Sequence, residues 1–174
     1  MKRASVYLIV AIICFYLDTV LTLMSPIKIF GIQFIMVPRL TLIFLLLMTF
    51  YRNVYSALIL GMFLGLMTDL YFGEIYGVYL IAYLMLILFV EKFFSLFYRD
   101  HAVVFLVILV SVIVLDIFVA FLYHLVGLID FNILDYLLFR APLTLLLNAI
   151  LLIFIYTLLD YRQNRKRTID IKIK

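Results

Sequence analysis

Residues 61–77 read GMFLGLMTDLYFGEIYG, and this stretch decides how the rest of the chain is interpreted. Its glycines and one carboxylate recur every four residues, at Gly61, Gly65, Asp69, Gly73 and Gly77. Residues four apart share one face of an α-helix, so Gly61 and Gly65 predict a face that a neighbouring helix can approach closely. Asp69 lies one turn further out on that face, and Gly73 and Gly77 are predicted to bend the chain into the next helix.

The composition around this stretch is that of a membrane protein. Of the 174 residues, 69% are hydrophobic and only 14% are charged, whereas soluble domains carry about one-quarter charged residues. A helix needs about 20 apolar residues to cross a bilayer, so this length accommodates about six spans with short loops. The sequence therefore predicts an all-α integral membrane protein, a six-transmembrane-helix bundle with no separate soluble domain.

Hydropathy and charged boundaries place the six predicted spans near 5–24, 32–51, 53–71, 76–95, 102–122 and 136–159. They form a transmembrane domain over 1–160, followed by a basic cytoplasmic tail over 161–174. Two interpretations of the tail stay open: a solvated segment at the anionic inner leaflet, or a cytoplasmic docking segment. The net charge of +4 thus indicates topology and not a nucleic-acid partner.

Lys and Arg residues concentrate on one side of the predicted spans. With the N-terminus inside, 11 of the 14 basic residues fall in cytoplasmic segments, and only Lys28 falls in an outer loop. Arg39 and Arg140 lie within spans two and six. Because cytoplasmic segments carry an excess of Lys and Arg, both termini are predicted to be cytoplasmic.

Five ionisable residues fall at a similar depth in five different spans. At about 1.5 Å per residue, Asp18, Asp69 and Asp116 lie about 20 to 23 Å from the inner ends of spans one, three and five. Arg39 and Arg140 lie about 6 to 11 Å below the outer ends of spans two and six. We therefore predict an outer polar layer, which either fixes helix packing through internal pairs or forms a cavity or docking site for a partner.

The last span adds a polar stripe to this layer. Arg140, Thr144 and Asn148 recur every four residues and so share one helix face. Polar and small residues on one face are typical of contacts between membrane helices.

The sequence carries no pattern typical of an enzyme. Cys14 stands alone, and His101 and His124 have no second ligand at metal-binding spacing, so neither a metal nor another cofactor is predicted. Zinc-protease, nucleophile-elbow and phosphate-loop motifs are absent from the sequence. A catalytic role is therefore not expected.

Three stretches together resemble the rod-shape-determining protein MreD family of bacterial inner-membrane proteins. They are GMFLGLMTDLYFGEIYGVYLIAY, beginning at Gly61, the pair Pro38-Arg39, and RAPLTLLLNAILLIF, beginning at Arg140. Length, six predicted spans and a basic C-terminus agree, so the resemblance covers nearly the whole chain.

The resemblance implies a non-enzymatic subunit of the elongasome, the machine that builds peptidoglycan along the cell body and maintains cell shape. It implies association with an MreC-like protein and, through it, with MreB filaments, a RodA-type glycosyltransferase and a class B penicillin-binding transpeptidase, besides membrane lipids. The family is also similar in architecture to the S components of energy-coupling-factor transporters. Two hypotheses follow: a scaffold that receives a partner's helix, or a transport subunit that binds a small ligand through Arg39 or Arg140.

Overall fold

The computed structural model describes residues 2–23, 25, 27–29, 32–34, 36–96, 101–130 and 132–172. Seven α-helices occupy most of this chain: α1 Lys2–Leu23, α2 Leu40–Tyr51, α3 Val54–Phe72, α4 Val78–Leu96, α5 His101–Leu125, α6 Ile133–Asp135 and α7 Ala141–Lys172. A π-helix, Tyr136–Arg140, joins α6 to α7. The prediction of a helical bundle is confirmed.

Three of the described helices contain a segment long and apolar enough to cross a membrane, namely Ser5–Leu23, Val54–Phe72 and Ala102–Leu125. Leu40–Tyr51 and Ala141–Thr157 are shorter apolar segments. The finer prediction of six spans remains a prediction. The predicted tail begins within α7, whose helix runs on to Lys172, and the division into a membrane domain and a tail likewise stays a prediction.

The prediction for span two, a helix over 32–51, is wrong in its first part. Ile32–Phe34 instead pairs with Ile27–Ile29 as an antiparallel two-stranded hairpin, in which Ile29 lies opposite Ile32. The alternation of isoleucine with polar residues in IKI and IQF suits a strand, and Pro38 disfavours helix in the residue before it. The helix consequently begins at Leu40, eight residues later than predicted.

The short helix α2 is the centre of the bundle. It contacts α1, α3, α4, α5 and α7, and Leu42, Ile43, Leu45 and Leu46 have no exposed surface. A helix that is apolar on all sides is stable when other helices surround it, and this arrangement provides that environment. The sides of α1, α3 and α5 that face away from α2 expose large apolar residues such as Ile9, Ile59 and Leu106.

The predicted second span is long enough to cross an apolar layer when the residues before α2 are counted with it. The 12 residues of α2 extend about 18 Å at about 1.5 Å per residue, short of the hydrocarbon thickness of about 30 Å. The non-helical residues 36–39 add up to about 13 Å when extended. Non-helical backbone in an apolar layer is tolerated only where protein or water satisfies its polar groups, so residues 36–39 require hydrogen-bond partners for their backbone.

Candidate functional site

The candidate site surrounds residues 36–39, which we call the α2 entry segment. Asn148 on α7 bonds this segment at two points: its Oδ1 accepts from the N–H of Arg39 at 2.8 Å, and its Nδ2 donates to the carbonyl of Val37 at 2.9 Å. The hydroxyl of Thr144 accepts from the N–H of Val37 at 3.4 Å. Both side chains are buried, so α7 supplies the hydrogen bonds that an unbroken helix would have made internally.

Asp18 on α1 caps the start of α2. Its Oδ1 accepts from the N–H of Leu40 at 2.7 Å and its Oδ2 from the N–H of Thr41 at 2.8 Å. The first N–H groups of a helix have no partner within the helix and carry its positive dipole end, so a carboxylate there is bonded and electrostatically stabilised. Asp18 is 8% exposed, so α1 caps α2 from inside the bundle.

Asp69 on α3 does the same for α4. Its Oδ1 accepts from the N–H of Tyr79 at 2.9 Å and its Oδ2 from the N–H of Leu80 at 3.0 Å. The residue is 1% exposed. The carboxylate that stands among glycines in the sequence therefore has both oxygens bonded to the backbone at the first turn of the next helix.

Asp116 on α5 has a different partner. Arg39, the last residue of the α2 entry segment, donates to its Oδ1 from Nε at 3.0 Å and from Nη2 at 2.6 Å. The same guanidinium lies 5.4 Å from the ring centroid of Tyr79, within reach of a cation–π interaction. Arg39 therefore joins α2 to α4 and α5. Within the described part of the chain, this is the ion pair found among the residues of the predicted outer polar layer.

Arg140, the last residue of the π-helix, takes no part in this ion pair. Its Nε is buried and finds no hydrogen-bond partner within the described part of the chain, and no described carboxylate forms an ion pair with it. Around the α2 entry segment and the first turn of α2, the structure thus brings together Asp18, Arg39, Asp116, Thr144 and Asn148. It leaves Arg140 as a cation whose partner is not supplied by those residues.

The glycine face of α3 packs against α4 of the same chain. A Cβ added at Gly65 would lie 2.6 Å from the Cα of Leu80, so only glycine permits this backbone approach. At Gly61 the nearest atom would be the Cδ1 of Ile87, at 2.7 Å. Of the two predicted roles, partner binding and bundle packing, the geometry supports packing, because α4 occupies this face.

Two further glycines shape the connection from α3 to α4. Gly73 follows the last residue of α3, and a Cβ there would lie 2.6 Å from the carbonyl oxygen of Asp69. Gly77 has a φ of 97°, a conformation that other residues rarely adopt. The turn brings the first N–H groups of α4 back to the carboxylate of Asp69.

A cavity of about 310 Å³ opens beside the α2 entry segment. It is lined by Phe15, Asp18, Thr22, Ser25, Met36, Val37, Pro38, Arg39, Thr41, Thr68, Phe72, Tyr79, Tyr83 and Arg140. Both arginines of the outer polar layer reach it. Apolar side chains form much of the remaining wall.

Two tyrosines of this site were not predicted from the sequence. Tyr79 and Tyr83 on α4 are buried, with 8% and 2% exposure, although tyrosines near span ends are usually expected in the membrane interface. Their spacing of four residues places both on one face of α4 and was the available indication. Among the residues that the structure describes, no group of three or more His, Cys, Asp or Glu could hold a metal ion.

Comparison with known proteins gives one family. The model of a family described as rod shape-determining protein MreD matches residues 2–162, nearly the whole chain. Searches of curated proteins and of solved structures gave no match. The similarity in architecture to transporter S components therefore stays a prediction.

Proposed function

Because the chain belongs to the MreD family of rod shape-determining proteins, we propose that it is the membrane scaffold through which an MreC-like protein is held in the elongasome. The family determines cell shape as a structural component and is not a known enzyme family. In this proposal the chain organises lateral peptidoglycan synthesis without taking part in its chemistry. MreB filaments, the glycosyltransferase and the transpeptidase are reached indirectly, through the MreC-like partner.

The observation that carries the scaffold proposal is the way in which buried polar groups connect the helices. Asp18 joins α1 to α2, Asp69 joins α3 to α4, Asp116 joins α5 to the α2 entry segment, and Asn148 joins α7 to that segment. Such bonds fix the relative positions of the helices, because each partner is buried and costly to leave unpaired. A bundle with fixed geometry can present a constant apolar surface to a partner's transmembrane helix.

We further propose that the chain lies in the bacterial inner membrane as a six-span protein with both termini in the cytoplasm. The excess of Lys and Arg in alternate connections supports this orientation. The second span would combine α2 with the α2 entry segment, and the remaining spans would correspond to α1, α3, α4, α5 and α7. Reporter fusions or cysteine accessibility at residues 75 and 128 would test the outer positions of two loops.

The scaffold proposal is tested by recovering partners of the tagged protein from native membranes in a mild detergent. Mass spectrometry should identify an MreC-like protein with the wild type and with the control Asp130→Ala, an exposed aspartate in the loop after α5. Less of it should be recovered with Asp69→Ala, because that change releases the first turn of α4. If the wild type brings down no MreC-like protein, the proposal fails.

The alternative hypothesis, a transport subunit that binds a small ligand, is favoured by one observation. The cavity beside the α2 entry segment is lined by Asp18, Arg39 and Arg140. Recovery of an ATPase module in the same experiment, in place of an MreC-like protein, would support transport.

A further inference from the structure

We propose that the cavity beside the α2 entry segment binds a phosphate group through Arg140, carried either by a lipid headgroup or by a soluble ion. This inference goes beyond the scaffold role and does not depend on it. It rests on the charges that line the cavity, on the unpartnered Nε of Arg140 and on the composition of the wall.

Of the charged side chains that line the cavity, Arg39 and Asp18 have partners among the described residues and Arg140 does not. Arg39 donates two hydrogen bonds to Asp116, which lies 1% exposed behind it, so the positive charge of Arg39 is offset within the protein. Asp18 carries the opposing negative charge in the wall, and both its oxygens accept N–H groups from the positive end of α2. Arg140 has no such partner within the described residues, and it is the charge that an anion in this cavity can satisfy.

The position of Arg140 also points to binding. Its Nε is buried and lacks a hydrogen-bond partner in the part of the chain described here. Buried donors in native proteins are almost always satisfied, so an orphaned donor beside a cavity indicates a missing ion, water or ligand. The residue ends a π-helix, an element that is rare and occurs frequently at functional sites.

A phosphate is an anion whose shape and charge Arg140 can match. Arg presents a planar set of N–H donors that match phosphate oxygens in two parallel hydrogen bonds. The volume of about 310 Å³ lies at the lower end of the range for small-molecule pockets, about 300 to 1,000 Å³. Phe15, Met36 and Phe72 give the same cavity an apolar wall that can accommodate the carbon skeleton next to a phosphate.

The test measures binding to the full chain and to three variants. Arg140→Gln removes the cation, and Thr22→Phe fills the cavity without changing a charge. Among the described residues, the Thr22 hydroxyl donates to the carbonyl of Asp18 within α1. Arg52→Gln, an exposed arginine at the inner end of α2, is the matched control.

Two probes distinguish the sources of the phosphate. Protein reconstituted in nanodiscs of phosphatidylglycerol and phosphatidylcholine is extracted and examined by native mass spectrometry for retained phospholipid. Lipid-free protein in detergent is titrated with inorganic phosphate while its melting temperature is followed. Retention of phosphatidylglycerol identifies a lipid headgroup, and a phosphate-dependent rise in melting temperature identifies a soluble ion.

We expect Arg140→Gln to weaken binding of the responding probe by about tenfold or more, as befits the loss of a charge-assisted hydrogen bond. Thr22→Phe should weaken it as well, and Arg52→Gln should bind as the wild type does. Thr22→Phe decides the matter if Arg140→Gln does not fold. The proposal is overturned if neither probe binds the wild type, if binding survives these cavity changes, or if Arg52→Gln lowers it equally.

Discussion

Arg39 donates to a single oxygen of Asp116 from two of its nitrogens, at 3.0 and 2.6 Å, across the boundary between the α2 entry segment and α5. The pair is nearly buried, with side-chain exposures of 11% and 1%. It holds the point at which the chain changes from the non-helical α2 entry segment to helix. Replacing a buried ion pair with an apolar pair of similar volume often leaves the stability similar. Such a replacement can therefore show whether the Arg39–Asp116 pair stabilises the fold or only specifies it.

We predict that Asp116→Ala lowers the free energy of unfolding by about 3 to 5 kcal/mol, because the guanidinium of Arg39 stays buried without its partner. The double variant Arg39→Met with Asp116→Leu should recover much of this loss, since no charge is then stranded. Thermal or denaturant unfolding in one detergent compares the single and double variants. A double variant less stable than Asp116→Ala would contradict the prediction.

Asp18→Ala and Asp69→Ala should each destabilise the bundle through the backbone. Each change strands two buried N–H groups at a helix start, at a cost of about 1 to 3 kcal/mol for each group left unsatisfied. Asp18→Asn and Asp69→Asn should cost less, because an amide oxygen still accepts one of the two bonds.

The measurement for these caps is the melting temperature of the purified variants, with Asp130→Ala as the exposed control. Hydrogen exchange adds a local readout. The N–H groups of Leu40 and Thr41 should lose protection in Asp18→Ala, and those of Tyr79 and Leu80 in Asp69→Ala. Unchanged exchange at these positions would contradict the capping role.

The sequence predicted the helical class and the family, while the outer polar layer stays a prediction. It did not predict how the residues of that layer are bonded. Depth along a helix can be counted from the sequence, and this count predicts that Asp18, Asp69 and Asp116 lie at one level. A carboxylate can bond to an arginine or to the first N–H groups of a neighbouring helix, depending on which helices pack together. Helical spacing in the sequence does not determine which helices are neighbours. Asp69, for example, accepts from the N–H groups of Tyr79 and Leu80 on α4.

For a related reason, the sequence did not predict the non-helical backbone before α2. Residues 32–51 are apolar enough to pass as one helix, and only Pro38 and the alternation in IKI and IQF indicate otherwise. The backbone of the α2 entry segment is hydrogen-bonded by Asn148 and Thr144, which lie more than a hundred residues later in the sequence. Such long-range partners are visible only once the fold is known.

The two glycines of the α3 face should differ in their tolerance of alanine. At Gly65 the added Cβ would meet the backbone of Leu80, so α3 and α4 must move apart, at a cost of about 1 to 3 kcal/mol. At Gly61 it would meet the end of the flexible Ile87 side chain, which can turn aside, and the cost should be below about 1 kcal/mol. Melting temperatures of Gly61→Ala and Gly65→Ala test this order, and equal losses would contradict it.

Asn148 and Thr144 offer a matched test of the α2 entry segment, because both are buried on α7 and both bond to it. Asn148→Leu keeps the volume close but strands the N–H of Arg39 and the carbonyl of Val37, each bonded at 2.9 Å or less. At about 1 to 3 kcal/mol for each stranded group, the variant should lose several kcal/mol of unfolding free energy. Thr144→Val removes one bond of 3.4 Å to the N–H of Val37, so its loss should stay within about 1 kcal/mol. Unfolding in detergent measures both variants, and a larger effect of Thr144→Val than of Asn148→Leu would show that the asparagine does not hold the broken span.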